Sequence, residues 1–330
     1  MNKKISIIVI SIFSVMVIAI SIGFASRFFA RGTATVTIPN GADSVEISKI
    51  LQENGIIKSR TYFLARLYFS PYRGKLRSGT FKIDRNSLLD TVFEILSKDG
   101  ELKETITVTI PEGYSVEMIE DKLIELGLCT KSEFEEALKK EYDYGFLKQI
   151  PDSEDIKYRL QGFLFPETYD FYTDASAESI IDTMLAQFQK ETEALNLKDN
   201  EIFDIVTKAS MIEREAQIES ERAIIAGVIE NRLNKNMKLQ IDATTEYAVT
   251  DGRFDKSRIL YEDLETDSKY NTYRYSGLPV GPICNPSIAS IRAAASPDEH
   301  NYLYYHTDTE KNDGSHIFSE TFDEHKATKN

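Results

Sequence analysis

Cysteine and histidine are scarce in this 330-residue chain, and basic residues are outnumbered. The two cysteines, Cys129 and Cys284, stand far apart in sequence. They imply no disulfide framework and read as free thiols. The four histidines, His300, His306, His316 and His325, all lie near the C-terminus and are not spaced as ligands on one helix, so no metal site is expected. There is no His-Glu-x-x-His, no Cys-x-x-Cys, no Walker loop and no dinucleotide fingerprint, so no cofactor is expected either. Ser210 has no His base in its own segment, which leaves a serine hydrolase unsupported. Lys and Arg number 39 against 53 Asp and Glu, a formal net charge of −14. That acidity argues against a nucleic-acid partner.

What is present begins with one apolar run. Ile5 to Ala25 is uncharged and rich in Ile, Val and Phe. As a helix it reaches roughly 30 Å, the thickness of a bilayer core. Lys3 and Lys4 precede it, Arg27 and Arg31 follow, and the slight bias favours a cytoplasmic N-terminus. The reading is a retained anchor. The alternative is a cleaved signal peptide, with Gly23-Phe24-Ala25 as a small-x-small site. Either way the rest of the chain is expected outside the cytoplasm. Its length allows two or three domains with a sizeable core.

An internal repeat follows. Thr35-Val36-Thr37-Ile38-Pro39 recurs letter for letter as Thr107-Val108-Thr109-Ile110-Pro111. Alternating Thr, Val and Ile predict a strand, and Pro-x-Gly predicts a turn. Each copy then predicts an amphipathic helix, Ile47 to Gly55 and Met118 to Gly127. Ser44 and Ser115 are the expected N-caps, and the glycines the stops. Between the copies, Tyr62–Tyr68 reads as a helix, Leu76–Ile83 as a strand and Leu88–Leu96 as a helix. That order predicts a small α+β domain. Thr130–Asp155 reads as a charged helical connector. Leu160–Tyr172 is dense in aromatics around Gly162 and Pro166. It serves either as a sugar-stacking platform, with Glu167 accepting sugar hydroxyls, or as a packed loop. Ala177–Leu195 and Ala223–Leu233 predict helices, while Leu239–Thr245 suits an extended groove wall. Ser276–Pro286 predicts a rigid loop of the kind that lines sites. Ser287–Ala295 predicts a short helix. Tyr302–Tyr305 and Ser315–Ser319 predict paired strands.

The central stretch is Asp199–Tyr247. On a helical wheel, Ile202, Val206, Ala209 and Ala216 form a narrow stripe flanked by Ile205 and Ile212. Glu213 falls near the centre of that stripe. Glu215, Lys208 and Asp204 point the other way. Taking a carboxyl from water disfavours its charged form, and a carboxyl that keeps its proton near neutral pH can donate it and take one back. Glu213 is therefore the candidate catalytic residue. A helix that ends early, or a Glu whose stem packs while its head reaches solvent, would give the same pattern.

Around Glu213 the pattern becomes specific. The blocks Ala209-Ser210-Met211-Ile212-Glu213-Arg214-Glu215, Asn231-Arg232-Leu233, Met237-x-Leu239-Gln240-x-Asp242 and Tyr270-Asn271-Thr272-Tyr273 resemble the YceG-like endolytic murein transglycosylase family. So do Gly277-Leu278-Pro279-x-Gly281-Pro282-Ile283-x-Asn285-Pro286, Tyr302-Leu303-Tyr304, His316-x-Phe318 and Glu324-His325. The likeness spans the whole chain. It implies a transmembrane anchor over 1–31, a LysM-like α+β domain over 32–128, a helical connector over 129–158 and a mixed α/β catalytic domain over 159–330. It implies a single-pass protein of the cell membrane with its catalytic domain extracytoplasmic. That protein would be a lyase cutting nascent peptidoglycan strands internally, beside the synthase machinery. The family's catalytic Glu is placed on Glu213. Two departures stand out. The family's Asp-Pro-Thr is Asp242-Ala243-Thr244 here, which is expected to loosen the groove wall. Its Leu-Glu-Gly is Leu160-Gln161-Gly162, which removes any acid at that position.

The reaction so implied joins the C6 hydroxyl of N-acetylmuramic acid to its own C1, leaving a 1,6-anhydro end and consuming no water. One carboxyl can serve both proton transfers, whereas hydrolases use two at defined separations. Gln240, Asp242, Asn271 and Tyr273 are assigned to holding the saccharide, with Tyr247 and Glu167 as further candidates. The rivals are a two-carboxylate muramidase, with Asp242 or Glu167 as partner, and a non-enzymatic peptidoglycan-binding scaffold.

Overall fold

The computed structural model describes residues 32–98 and 104–328. The Ile5–Ala25 run lies outside the described residues. Among those described, no helix is long and apolar enough to cross a membrane. The chain divides into two compact units, Met1–Glu104 and Thr105–Asn330. Both mix helices with two-stranded antiparallel sheets, an α+β arrangement.

In the first unit, β1 (Thr33–Ile38) pairs with β2 (Gly79–Asp84), setting Val36 opposite Phe81. Alternation sends Ala34, Val36 and Ile38 into the core. Helices α1 (Ser44–Glu53), α2 (Arg60–Tyr68) and α3 (Leu89–Leu96) bury Leu51, Phe63 and Phe93 against them. The cap of α1 is Asp43 rather than Ser44. Its carboxylate Oδ1 accepts the Val45 and Glu46 N–H groups at 2.8 Å each, satisfying two of the donors that a helix N-terminus leaves unpaired.

The second copy of the repeat lies in the larger unit. The physical cause is strand pairing. β3 (Thr105–Thr109) bonds to β4 (Thr168–Tyr172), with Val108 opposite Tyr169. Ser115 caps α4 (Val116–Glu125) by accepting the Met118 N–H at 3.1 Å. Gly55 and Gly127 both hold φ +70°, the left-handed stop expected after each helix. The 129–158 segment, the expected helical connector, packs its apolar residues as well. In α5 (Lys131–Leu138) and the 3₁₀ turn Gly145–Gln149, Phe134, Ala137, Phe146 and Leu147 enter the core of the larger unit.

The aromatic stretch after it is packed rather than offered to a ligand. Phe163 is buried, stacked on Phe146 at 5.4 Å and edge-on to Phe188 of α6 (Ala177–Glu193) at 5.1 Å. Gln161 is buried too, its Oε1 accepting the Val116 N–H at 2.9 Å. Gly162, at φ +93°, sits where a Cβ would lie 2.6 Å from Val206 and 2.7 Å from Pro282. Asn285 completes this strut. Its Oδ1 accepts the Gly162 and Leu164 N–H groups at 2.9 Å each, and its Nδ2 donates to the Tyr114 carbonyl.

Through this centre runs α7 (Asp199–Glu215), burying Val206, Ala209, Met211 and Ile212. It ends where Ala216 turns extended. α8 (Arg222–Asn234), α9 (Asp242–Val249) and α10 (Ile288–Ala295) follow in the chain. The hairpin β5 (Tyr304–Thr307) and β6 (His316–Ser319) leads to α11 (Phe322–Thr328). Both cysteines are free thiols.

Candidate active site

The last turn of α7 carries two carboxyls, and they go to different places. Glu213 is buried on the side facing the start of α10. Its Oε2 accepts the Ser287 N–H at 2.9 Å and the Ser287 hydroxyl at 2.5 Å. Its Oε1 accepts an Arg222 guanidinium N–H at 3.4 Å. Arg222 in turn donates to Ser290 Oγ at 3.0 Å. With side chains 7% and 14% exposed, Glu213 and Arg222 form an ion pair that ties α7 to α8 and to the N-cap of α10. The wheel is right that Glu213 faces inward. What it meets there is a set of polar partners, Ser287 and Arg222, which occupy both of its oxygens.

Glu215 lines the cleft instead. A cavity of about 420 Å³ is bounded by Glu215, Gln240, Asp242, Tyr273, Tyr305 and His316, with Tyr304, Phe322 and His325 further along its wall. The buried Tyr305 hydroxyl donates to Glu215 Oε2 at 2.9 Å. Burial pushes the Glu215 carboxyl above its ordinary range and the Asp242 charge adds to this. The Tyr305 hydrogen bond and Arg214 oppose it, as does His316 whenever its ring is protonated. The carbonyl end of α7 acts in the same direction as burial, since a helix C-terminus disfavours an added negative charge.

Three of the expected saccharide-holding residues gather here. Asp242 opens α9 and accepts the Tyr273 hydroxyl at 2.5 Å. Gln240 is exposed and held at φ +52°, a left-handed conformation unfavourable for a side-chain-bearing residue. Its backbone N–H is fixed by the Thr272 carbonyl at 3.2 Å. Leu239–Thr245 is thus not one extended strand; it turns at Gln240 and becomes helical at Asp242. The β-branched residues tolerate this because their hydroxyls are used. Thr244 Oγ1 bonds Thr272 Oγ1 at 2.9 Å, and Thr245 Oγ1 donates to Asn271 at 3.0 Å. The wall is therefore pinned by these hydroxyls directly after Ala243.

The other three lie elsewhere. Asn271 is fully buried. Its amide donates to the Leu264 and Thr266 carbonyls at 2.9 Å each, so it builds the loop behind the wall. Tyr247 is buried on the far side of α9, beside Tyr270 at 4.8 Å, against a separate cavity of about 480 Å³. Glu167 is exposed at the start of β4 and accepts the Thr168 N–H at 2.8 Å. Among the described residues no group of acidic, His or Cys side chains could hold a metal ion.

With this geometry in view, the YceG-like family pattern matches residues 36–330, and the chain belongs to that family. A Bacillus subtilis protein named endolytic murein transglycosylase is 35% identical over 91% of this chain and 85% of its own length. A Streptococcus pneumoniae protein of the same name is 30% identical over 83% of this chain; the match spans only 54% of that longer relative. The crystal structure of a YceG-like protein from Listeria monocytogenes is 31% identical, with a TM-score of 0.56 over 90% of this chain and 99% of its own.

Proposed function

We propose that this chain is an endolytic murein transglycosylase, a lyase that cuts peptidoglycan strands, with Glu215 rather than Glu213 as its proton-transferring group. The observation that carries the assignment is Glu215 itself, a carboxyl biased toward its neutral form and lining the one described cavity that also holds Gln240, Asp242 and Tyr273. Protonated Glu215 donates to the glycosidic oxygen between N-acetylmuramic acid and N-acetylglucosamine. C1 becomes oxocarbenium-like as that bond breaks. The sugar's C6 hydroxyl attacks C1, gives up its proton to a base in the cleft, and closes a 1,6-anhydro ring. No water is consumed. Asp242, Tyr273 and Gln240 hold the saccharide through its hydroxyl and amide groups. The Ile5–Ala25 run supports a single membrane anchor, with the catalytic unit outside the cytoplasm near newly made glycan.

Mass spectrometry of products from uncrosslinked glycan strands tests this. Anhydro ends from the wild type, and a loss of about 10³-fold in rate for Glu215→Gln, are expected. Reducing ends would point to Asp242 and Glu215 acting as a two-carboxylate hydrolase. Full activity in Glu215→Gln would remove Glu215 from the chemistry.

A further inference from the structure

Beside Glu215 the cavity presents a second group that can hold a proton. His316 opens β6 and is almost enclosed, its side chain 7% exposed. Glu221 grips it twice. Glu221 Oε1 accepts the His316 backbone N–H at 3.0 Å, and Oε2 meets the ring Nδ1 at 2.7 Å. The ring stands edge-on to Tyr305, 5.4 Å away and at 89°. This is more restraint than a packing histidine needs. A carboxylate on Nδ1 fixes the tautomer with its hydrogen there and leaves the lone pair on Nε2. Nε2 makes no hydrogen bond among the described residues, yet it is not a sealed polar atom. His316 lines the same cavity as Glu215. Nε2 is thus its one uncommitted nitrogen.

We infer that His316, oriented by Glu221, is the base that accepts the proton of the attacking C6 hydroxyl, so that Glu215 acts as the acid alone. This rests on the transglycosylase reading above. In the first transfer the Glu215 O–H bond breaks and the proton goes to the glycosidic oxygen as the C1–O bond cleaves. In the second, the C6 O–H bond breaks toward His316 Nε2 as the new C6–O–C1 bond forms. Glu215 is left ionised and His316 protonated. Passage of that proton back to Glu215, through water entering the vacated cleft, resets both with nothing consumed. The orienting carboxylate steadies the imidazolium in the manner of a carboxylate–histidine pair in acyl-transfer enzymes.

The test uses the full chain acting on uncrosslinked glycan strands, with kcat, KM and product ends measured together. Wild-type products come first. Absence of anhydro ends overturns the transglycosylase reading itself, before any statement about His316. Given anhydro ends, His316→Gln keeps the ring's approximate size and can still donate to Glu221, but it has no basic nitrogen. It is expected to lower kcat about 10²-fold with KM changed less than about threefold. His316→Ala is expected to be at least as slow and to regain roughly tenfold or more in the presence of free imidazole. A purely structural role would not respond to imidazole. Retention of kcat within about threefold in His316→Gln overturns the assignment. So does a slow, folded His316→Ala that imidazole fails to accelerate.

Discussion

The two sides of the α7 terminus use the same residue type for opposite ends. On one side Glu213 meets Arg222 and the capping serine of α10, and both of its oxygens are occupied from within the unit. On the other side Glu215 meets one phenol and a cavity. Charge compensation makes the first carboxyl a tie between three helices. At the second, burial outweighs the opposing Tyr305, His316 and Arg214, and the proposed reaction uses it as a reservoir for a proton. Position on the helix does not separate these roles; what packs against each side does. A pair of isosteric substitutions breaks the comparison open. Glu215→Gln should abolish glycan cleavage while leaving the fold intact. Glu213→Gln should retain cleavage within about tenfold and show its effect in stability. Comparable loss of cleavage from both, at unchanged melting temperature, would mean the two sides are not distinct.

Stability is the next measure. Removing one member of a buried ion pair leaves the other poorly compensated. For Glu213→Gln the amide still meets Ser287, so the loss is held to about 2 kcal/mol. That corresponds to a fall in Tm of roughly 4–8 °C for a unit of this size. The pH dependence of the two variants separates them further. The Glu215 carboxyl in the folded chain titrates above its ordinary value of 4.5. The folded state therefore holds this proton more tightly than the unfolded state. Its contribution to stability is full below about pH 4 and is lost as pH rises through the folded value. Glu215→Gln removes that dependence. Wild type and Glu215→Gln should melt together at about pH 4, and the variant should melt higher at about pH 7–8. Equal melting temperatures at both pH values would mean that burial does not act on this carboxyl. A gain in stability with loss of activity is the trade expected of a site strained for function.

How much of this is legible in the sequence follows from the range of the interactions. The letter-for-letter repeat encodes the same strand, turn and glycine-stopped helix twice, because strand alternation and a left-handed glycine are local properties. The different fates of the two copies are not legible. A Cβ added at Gly41 would meet nothing within 4 Å, whereas one at Gly113 would touch Glu213 and Arg214, and the Gly113 N–H donates to the Asn285 carbonyl. Those partners lie about a hundred residues or more downstream. The same limit explains the site. Periodicity ranks Glu213 inward and Glu215 outward, which is correct for the helix alone. It holds no information about a hairpin ninety residues later, which lays Tyr305 over the outward side. Tyr304 and His316 stand within the blocks that carry the family resemblance, and that co-occurrence is the one available signal. Asn271 and Tyr247 show the converse limit. Polar and aromatic residues near a site read as ligand contacts in the sequence, and burial makes these two its supports.

The smallest expected effect concerns Tyr273. Its hydroxyl donates to Asp242 at 2.5 Å, and burial is the main cause that pushes this phenol well above its ordinary value, so it remains a donor throughout the neutral range. Asp242 is exposed to the cleft, so water can replace part of what the phenol supplies. Tyr273→Phe removes one hydrogen bond to a charged acceptor without opening a void. A net cost of about 1 kcal/mol is expected, seen as a roughly three- to tenfold rise in KM for glycan strands with kcat within about twofold. A larger fall in kcat than in substrate affinity would move Tyr273 from holding the sugar to the chemistry at C1, and the cleft would then have three groups acting on the reacting bond rather than two.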